Sequence, residues 1–451
     1  MTDNTRINVG VDGDTIASDD VGGVKFQRMK MALGVDGVTD GDVSSSNPLP
    51  IKIGNSSSLD AFSRLRISNP THVYDANFVY SLDTLTQEAI VAESGATVAH
   101  DATNSCALMT FSSTPTGGKA YLQSFEHFRY QSGRSQLIYM TFNFVETKAN
   151  TLKFIGYGDR SNGIFLEQSG SVAQVKIYST TDTASETVIQ SAWNLDKLDG
   201  TGSSGVTLNL AKAQVLIIDM QWHGTGRVRI GFVIDGTIIY VHEFNHANVV
   251  TVPYMKSGTL PVSAGMTCTG TVSTTMRYIA CTVISEGGEL DVGALNFSQE
   301  TPSLTAGSDA RTHAISIRPK TTFNGVANRI TMVPTGLDVL VTGNNPVKWE
   351  LCIGDVITGT TTFADVNTTH SGMEYNTAGT TSGTPSLVID TGFIAASTVG
   401  NTSEESPLFS RIPITLNAAG AVRANGTLTL LVTGLGASSA CRVKISWKEI
   451  R

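Results

Sequence analysis

The residues with the plainest chemical reading are His242-Glu243-Phe244-Asn245-His246, an H-E-x-x-H string. On a helix, positions i and i+4 sit one turn apart, and both imidazoles reach one zinc ion beside a glutamate base. The residues before the string argue for a different geometry. Arg227–Phe244 reads RVRIGFVIDGTIIYVHEF, two runs of β-branched and aromatic residues around Asp235-Gly236. A type I′ turn takes such a pair because both of its central residues need positive φ. The run therefore predicts a hairpin with Val233 opposite Ile238, Ile230 opposite Val241 and Arg229 opposite His242. In a strand, i and i+4 share a face but lie about 13 Å apart, too far to share one metal. His242 is expected on a sheet face near Arg229 and His246 at the start of a loop, and no metal site is assigned.

The other chemical patterns fare similarly. Gly200-Thr201-Gly202-Ser203-Ser204-Gly205 matches G-x-G-x-x-G, but the strand-like Val206–Leu210 follows it where a dinucleotide fold needs a helix. Gly118-Lys119 precedes Ala120, not the Ser or Thr of a phosphate-binding loop. No G-x-S-x-G elbow stands out. A carboxylate pair for glycoside hydrolysis is assembled in space, so Glu126, Glu146, Asp159, Glu167, Asp219 and Glu243 stay open as members of one. Trp193, Trp222, Tyr157 and Tyr178 are open either as a sugar-stacking platform or as packing residues. The expectation is a chain that is not an enzyme, with no catalytic, cofactor or metal residues.

The elements that would position these groups are strands. Of 451 residues, 40% are hydrophobic and only 16% charged, with 44 glycines. That composition suits many short strands and tight turns better than long surface helices. A net charge of -8 without a basic block argues against nucleic acid. Five widely spaced cysteines without a C-x-x-C read as buried apolar residues, not a disulfide framework. No apolar run approaches the ~18–20 residues that span a bilayer, and no signal peptide is apparent. A protein made and left in a cytosol is expected.

In chain order, residues 1–57 are poor in large apolar side chains and dense in Asp and Gly; only Val24–Leu33 has some weight, as a short strand. They read as an arm ordered against something else. No calcium loop of the D-x-D-x-D-G type occurs there. Asn47-Pro48-Leu49-Pro50 marks an extended connection. Ser58–Pro70 reads as a loop and short strand pinning the arm to the next domain, or as a docking segment for another protein. Strand signals are dense from 71 to 290. They include a hairpin expected between Tyr121–Tyr130 and Gln136–Val145, a doubly covered strand at Val215–Trp222, and a strand at Met276–Ile284. A second β region follows a polar boundary, with Thr358–Pro385 and Ala395–Ser406 as long loops and a strand at Ile412–Leu416. The fold class is all-β: an extended arm (1–57), a central antiparallel β-sandwich or jelly roll (58–290), a linker (291–308) and a C-terminal β-sandwich (309–451).

Asp60-Ala61-Phe62-Ser63-Arg64-Leu65-Arg66-Ile67-Ser68-Asn69-Pro70 resembles the DAFGRLRVS-P signature of tailed-bacteriophage virion proteins, with Ser63 where that signature usually has Gly. Asp19–Met31, Gln131–Ser135, Asp219–Phe232 with Asp235-Gly236, His242–Asn248 and Thr282–Gly288 resemble further blocks of the same family. The likeness covers roughly residues 10–290. It implies a virion component and no catalytic residues. The reading is a structural, homo-oligomeric part of a tailed phage, with trimer the first guess. A fibre, spike or collar appendage is expected, anchored by its arm to other virion proteins of the tail, neck or capsid and assembled in the host cytoplasm. Asp60, Phe62, Arg64, Leu65 and Arg66 form the docking segment. The alternatives are an adhesin binding a host surface glycan and a capsid decoration protein. Neither membrane insertion nor a cofactor is expected.

Overall fold

Arg227–Phe244 folds as a hairpin in the computed structural model. Strands Val228–Ile234 and Thr237–Phe244 turn at Asp235 (φ 49°) and Gly236 (φ 77°), both in the left-handed region that a type I′ turn requires. Val233 faces Ile238 as expected, but Ile230 faces His242 and Arg229 faces Glu243. The one-residue difference from the expected register comes from a bulge that leaves Val241 unpaired, between Tyr240 opposite Gly231 and His242 opposite Ile230. Gly231 makes the close approach possible, since a Cβ there would lie 2.4 Å from the Ile239 carbonyl oxygen.

The structure describes residues 59–66, 69–287, 294–354, 357–359, 362–381, 385, 387–396, 402–407 and 414–451, and before them only 5–6, 15–16, 18–27, 32–33 and 41–42. The chain divides into two units, Met1–Ser56 and Ser57–Arg451. In the first, Ser18–Val21 pairs with Val24–Gln27 across Gly22 and Gly23, both at positive φ, so the expected short strand spans Val24–Gln27. Most of the expected arm, with Asn47–Pro50 and Asp12–Asp14, lies outside the described residues.

The second unit holds two antiparallel sandwiches. In the first, one sheet runs in the order Thr237–Phe244, Val228–Ile234, Gln214–Met220, Ser135–Asn143, Val272–Glu286, Cys106–Thr114 and Ala96–Asp101. Val272–Glu286 is long enough to use one edge twice. Its first half pairs with Cys106–Thr114, and residues 280–286 pair with Pro70–Asn77. The facing sheet runs Glu186–Ile189, Val172–Tyr178, Gly163–Ser169, Thr151–Gly158, Val262–Cys268, Lys119–Ser124 and Gln87–Ala92. Alternate residues of both sheets point inward, and Phe111, Phe142, Phe232, Leu166 and Met266 are buried between them. Each such side chain contributes about 1.5–3 kcal/mol of burial free energy. The other face of Gln214–Met220 is covered too, where Ile217 packs with Leu137, Tyr240 and Ile284, as its unbroken apolar run predicts. All five cysteines are buried and unpaired.

Tyr121–Tyr130 and Gln136–Val145 do not form the expected hairpin. Lys119–Ser124 belongs to one sheet and Ser135–Asn143 to the other. The residues between them cross the sandwich, with Phe128 fully buried and its N–H donated to the Leu260 carbonyl oxygen at 3.0 Å. Apolar alternation sets a face but not which sheet a strand joins.

The C-terminal sandwich pairs Leu295–Glu300, Ser439–Ile450, Thr331–Val341 and Thr402–Pro407 in one sheet. The other sheet holds Ala364–Asp365, Met373–Asn376, Thr312–Pro319, Leu428–Gly434, Val347–Ile353 and Leu387–Ile394. Trp349 and Trp447 fill the space between them. The expected linker is part of this domain: Leu295–Glu300 and Leu304–Ala306 both pair with Ser439–Ile450. Leu295–Glu300 is an edge strand with mostly exposed side chains, so its sequence lacks the apolar alternation of an inner strand. The two expected loops also carry strands, at Met373–Asn376 and Thr402–Pro407. At the expected strand Ile412–Leu416, the described residues 414–416 make a single bridge, Ile414 to Met332.

Candidate functional site

Asp60 organises the docking segment as a tight turn. Its carboxylate accepts the N–H groups of Phe62 (2.9 Å) and Arg64 (2.8 Å), and its carbonyl accepts the N–H of Ser63 (2.9 Å). Ser63 closes the turn at φ 63°. Glycine adopts that conformation without steric cost, which explains a glycine at this place in the signature. Arg64 returns to the Asp60 carboxylate, lies 4.6 Å over the Phe62 ring and donates to the Gly133 carbonyl oxygen at 3.1 Å. Asp60 is buried, Phe62 and Arg66 are half-buried, and Arg64 and Leu65 are exposed.

From this turn Arg66 enters the sheet. It pairs with Glu286 at 2.8 Å and with Asp219, and its Nε donates to the Leu59 carbonyl oxygen. Asp219 is fully buried. Besides Arg66 it accepts from Arg229 (2.5 Å), Ser135 Oγ (2.8 Å) and Tyr240 Oη (3.0 Å). Arg229 is also fully buried, lies 4.2 Å from the Tyr240 ring centroid and donates to the Leu59 carbonyl oxygen at 2.6 Å. Arg227 reaches back to the Ala61 carbonyl oxygen and Ser63 Oγ and pairs with Glu243 at 3.5 Å. Arg64, Arg66, Arg227 and Arg229 are thus balanced by Asp60, Asp219, Glu243 and Glu286. Burial pushes the Glu286 carboxyl up to about 7; Arg66 works against the rise, and the negative Asp219 and Asp60 add to it. Beside the cluster lies a cleft of about 550 Å³ bordered by Asp60, Arg64, Leu65 and Glu286.

This geometry can hold a chain segment in one register. Buried ion pairs add little net stability, but removing one partner strands the other, so the segment has one position that satisfies every charge. The structure brings together sequence blocks that are far apart: Asp60–Arg66, Ser135, Asp219–Arg229 and Glu286. Sequence reading named Asp60 and Arg66 but did not foresee Asp219, Arg229 and Glu286 as their partners. The available signal was two arginines, Arg227 and Arg229, on a strand otherwise apolar.

The remaining candidates are dispersed. The N–H of Asn194 donates to His242 Nδ1 (3.2 Å), while His246 bridges the Gly226 carbonyl oxygen and Glu186 and stacks 3.9 Å from Tyr254. No group of three or more metal-binding side chains occurs among the described residues. In the G-x-G-x-x-G loop the Ser204 N–H donates to Asp196, and Asp199 and Thr207 form a single bridge. Glu167, fully buried on the second sheet, binds Arg160, Tyr178 and Gln174. Glu126 is buried on the crossover, and Glu146 accepts from Thr274 Oγ1. Trp193 and Tyr157 are core residues, so the four aromatics are not one platform.

No protein-family model and no curated protein matches the chain. Solved structures with some likeness include a glycosyl hydrolase family protein from Mycobacterium fortuitum, with 14% identity, a TM-score of 0.33, and 47% of this chain and 99% of the other covered. A glycosyl hydrolase family 16 protein from Mycobacterium smegmatis has 14% identity and a TM-score of 0.32, over 47% and 100%. A carbohydrate esterase from the Shiga toxin-encoding bacteriophage phi24B has 12% identity and a TM-score of 0.31, over 48% and 99%. These neighbours are described as glycosyl hydrolase proteins and a carbohydrate esterase, which runs against the expectation that the chain is not an enzyme. At such TM-scores the likeness brings no substrate, reaction or residue role to this chain.

Proposed function

We propose that the chain is an assembly-forming component of a tailed-phage virion, with Asp60–Arg66 as the fixed root of an N-terminal arm that binds neighbouring virion proteins. One observation carries the reading. Sequence blocks resembling one virion family, separated by up to 220 residues, meet in a single buried ionic cluster. Each carboxylate of the cluster is paired with an arginine, and those arginines also hold the backbone of the segment. Arg64 and Leu65 remain exposed on the outer side of the turn, the side a partner would meet. The arm then works by ordering on a partner and burying apolar and backbone surface there. A homotrimeric fibre, spike or collar is the form in which such an arm would be presented. The test is mass spectrometry of purified particles, together with complementation by the Leu65→Asp variant, which changes only the exposed side. Expected are the protein in wild-type particles and its loss from particles carrying the variant. Absence from wild-type particles overturns the proposal.

A further inference from the structure

The two sandwiches of the Ser57–Arg451 unit have separate cores. Domains joined in that way move relative to each other by default, unless their interface restrains them. Here one loop of the C-terminal sandwich, residues 417–426, reaches the central sandwich and is braced to keep its shape. Asn417 accepts the Ala421 N–H on Oδ1 at 2.8 Å and donates its own N–H to the Ala421 carbonyl oxygen at 2.9 Å. Gly420 turns the chain at φ 78°, in the left-handed region, and the Gly426 N–H closes on the Arg423 carbonyl oxygen at 2.9 Å. Arg329 clamps the loop from its own sandwich through the carbonyl oxygens of Asn417 (2.9 Å) and Ala418 (3.1 Å).

The braced loop offers the central sandwich two groups. The Ala418 N–H donates to Glu88 Oε2 at 2.7 Å. Arg423, only 8% exposed, donates from Nη1 to the Leu85 carbonyl oxygen at 3.0 Å and lies 4.0 Å over the Phe125 ring. Glu88 stands on the edge strand Gln87–Ala92. Phe125 stands on the crossover, whose His127 meets Asp159 and Arg329 along the same boundary. Burial lowers the Arg423 pKa to about 10, and the Glu88 charge opposes the fall. Burial lowers that of Arg329 too, against the charges of Asp159 and Glu88. Glu88 thus faces two buried guanidinium groups across the boundary. A buried charge that loses its partner is costly. Sliding or parting of the sandwiches would take Arg423 from its ring, its carbonyl and its counter-charge together, so one relative orientation is favoured. We infer that residues 417–426 are a latch that holds the C-terminal sandwich in a single orientation on the central one, with Glu88 as its catch. The C-terminal sandwich then keeps a fixed angle to the Asp60–Arg66 segment. The latch does not depend on virion membership, so the two proposals fail separately.

The test is a distance measurement by pulsed electron paramagnetic resonance on the full chain. Spin labels go on Ala102→Cys and Ala364→Cys, exposed positions on the two sandwiches. All five native cysteines are buried, which directs the label to the new ones. A single narrow distance peak is expected for the doubly labelled parent. Arg423→Ala and Glu88→Gln should each broaden it roughly twofold or more, towards the motion usual between domains. Melting temperatures of both sandwiches should stay unchanged, because the latch sets orientation and each core folds its own sandwich. Glu88 and Arg423 lie on different sandwiches, so one variant decides if the other unfolds. A parent distribution as broad as that of the variants overturns the inference, as does a folded variant whose peak is as narrow as the parent's.

Discussion

Asp219→Asn is the sharpest test of the ionic cluster. The substitution keeps the size of the side chain and removes its charge. Arg66 still has Glu286 at 2.8 Å, so the calculation rests on Arg229. Asp219 is the one carboxylate paired with Arg229 among the described residues, and both side chains are fully buried. Arg229 Nε and Nη1 have no hydrogen-bond partners in the described structure, so without Asp219 its direct contacts are the Leu59 carbonyl oxygen and the Tyr240 ring, neither of which carries a charge. Stranding one member of a buried pair costs about 3–5 kcal/mol. For a domain of this size 1 kcal/mol moves Tm by about 2–4 °C, so the central sandwich should melt about 6–20 °C lower. Calorimetry should show that transition moving while the C-terminal sandwich, with its separate core, holds its own. Limited proteolysis should cut faster within residues 59–66, because Arg66 and Arg229 both hold the Leu59 carbonyl. Adding Arg229→Met should recover most of the loss, since an apolar replacement of a buried ion pair is often neutral or better. A Tm within about 2 °C of the unchanged protein, or strictly additive losses in the double variant, would refute the reasoning.

Three further outcomes follow from the same geometry. The Glu286 carboxyl stays protonated up to about 7 in the fold and titrates near 4.3 unfolded, so the folded chain holds the extra proton in between. Its contribution is present at low pH and is lost as pH rises through that window, by at most about 1.4 kcal/mol per pH unit. The Tm of the protein relative to Glu286→Gln should therefore fall between pH 5 and 7.5; a rise would contradict the shift. Ser63→Gly should relieve the left-handed backbone at the loss of one hydrogen bond from Arg227, for a gain of up to ~1 kcal/mol, whereas Ser63→Val should cost about 1–2 kcal/mol in denaturant unfolding. Gly231→Ala places a methyl 2.4 Å from the Ile239 oxygen and should destabilise by about 1–3 kcal/mol; an unchanged midpoint would mean the bulge yields freely.

What the sequence made legible was local. Asp235-Gly236 named its turn because only a few residue types accept two positive φ angles in succession, and Gln214–Met220 announced its double cover through an unbroken apolar run. The bulge at Val241 was not legible, because a skipped pairing leaves both flanking strands with ordinary β composition. Its consequence is chemical: it sets Arg229 opposite Glu243 instead of His242, and puts Val241 and His242 out of the pairing that a regular ladder would give. The cluster was hidden for a related reason. Asp60 and Arg66 look like turn and surface residues, and Asp219 like one polar break in an apolar strand, until the topology brings them together across more than 150 residues. Charge alone does not say whether a side chain faces water or another charge. The sheet order decides that, by placing Gln214–Met220 between Ser135–Asn143 and Val228–Ile234 so that three strands offer polar atoms to one point. His127 follows the same logic in reverse. The tract around it reads as a strand, and the structure makes it a crossover that buries Phe128 in the core of the sandwich. The imidazole next to that anchor is therefore held at the boundary of the two sandwiches, where periodicity alone would not have put it.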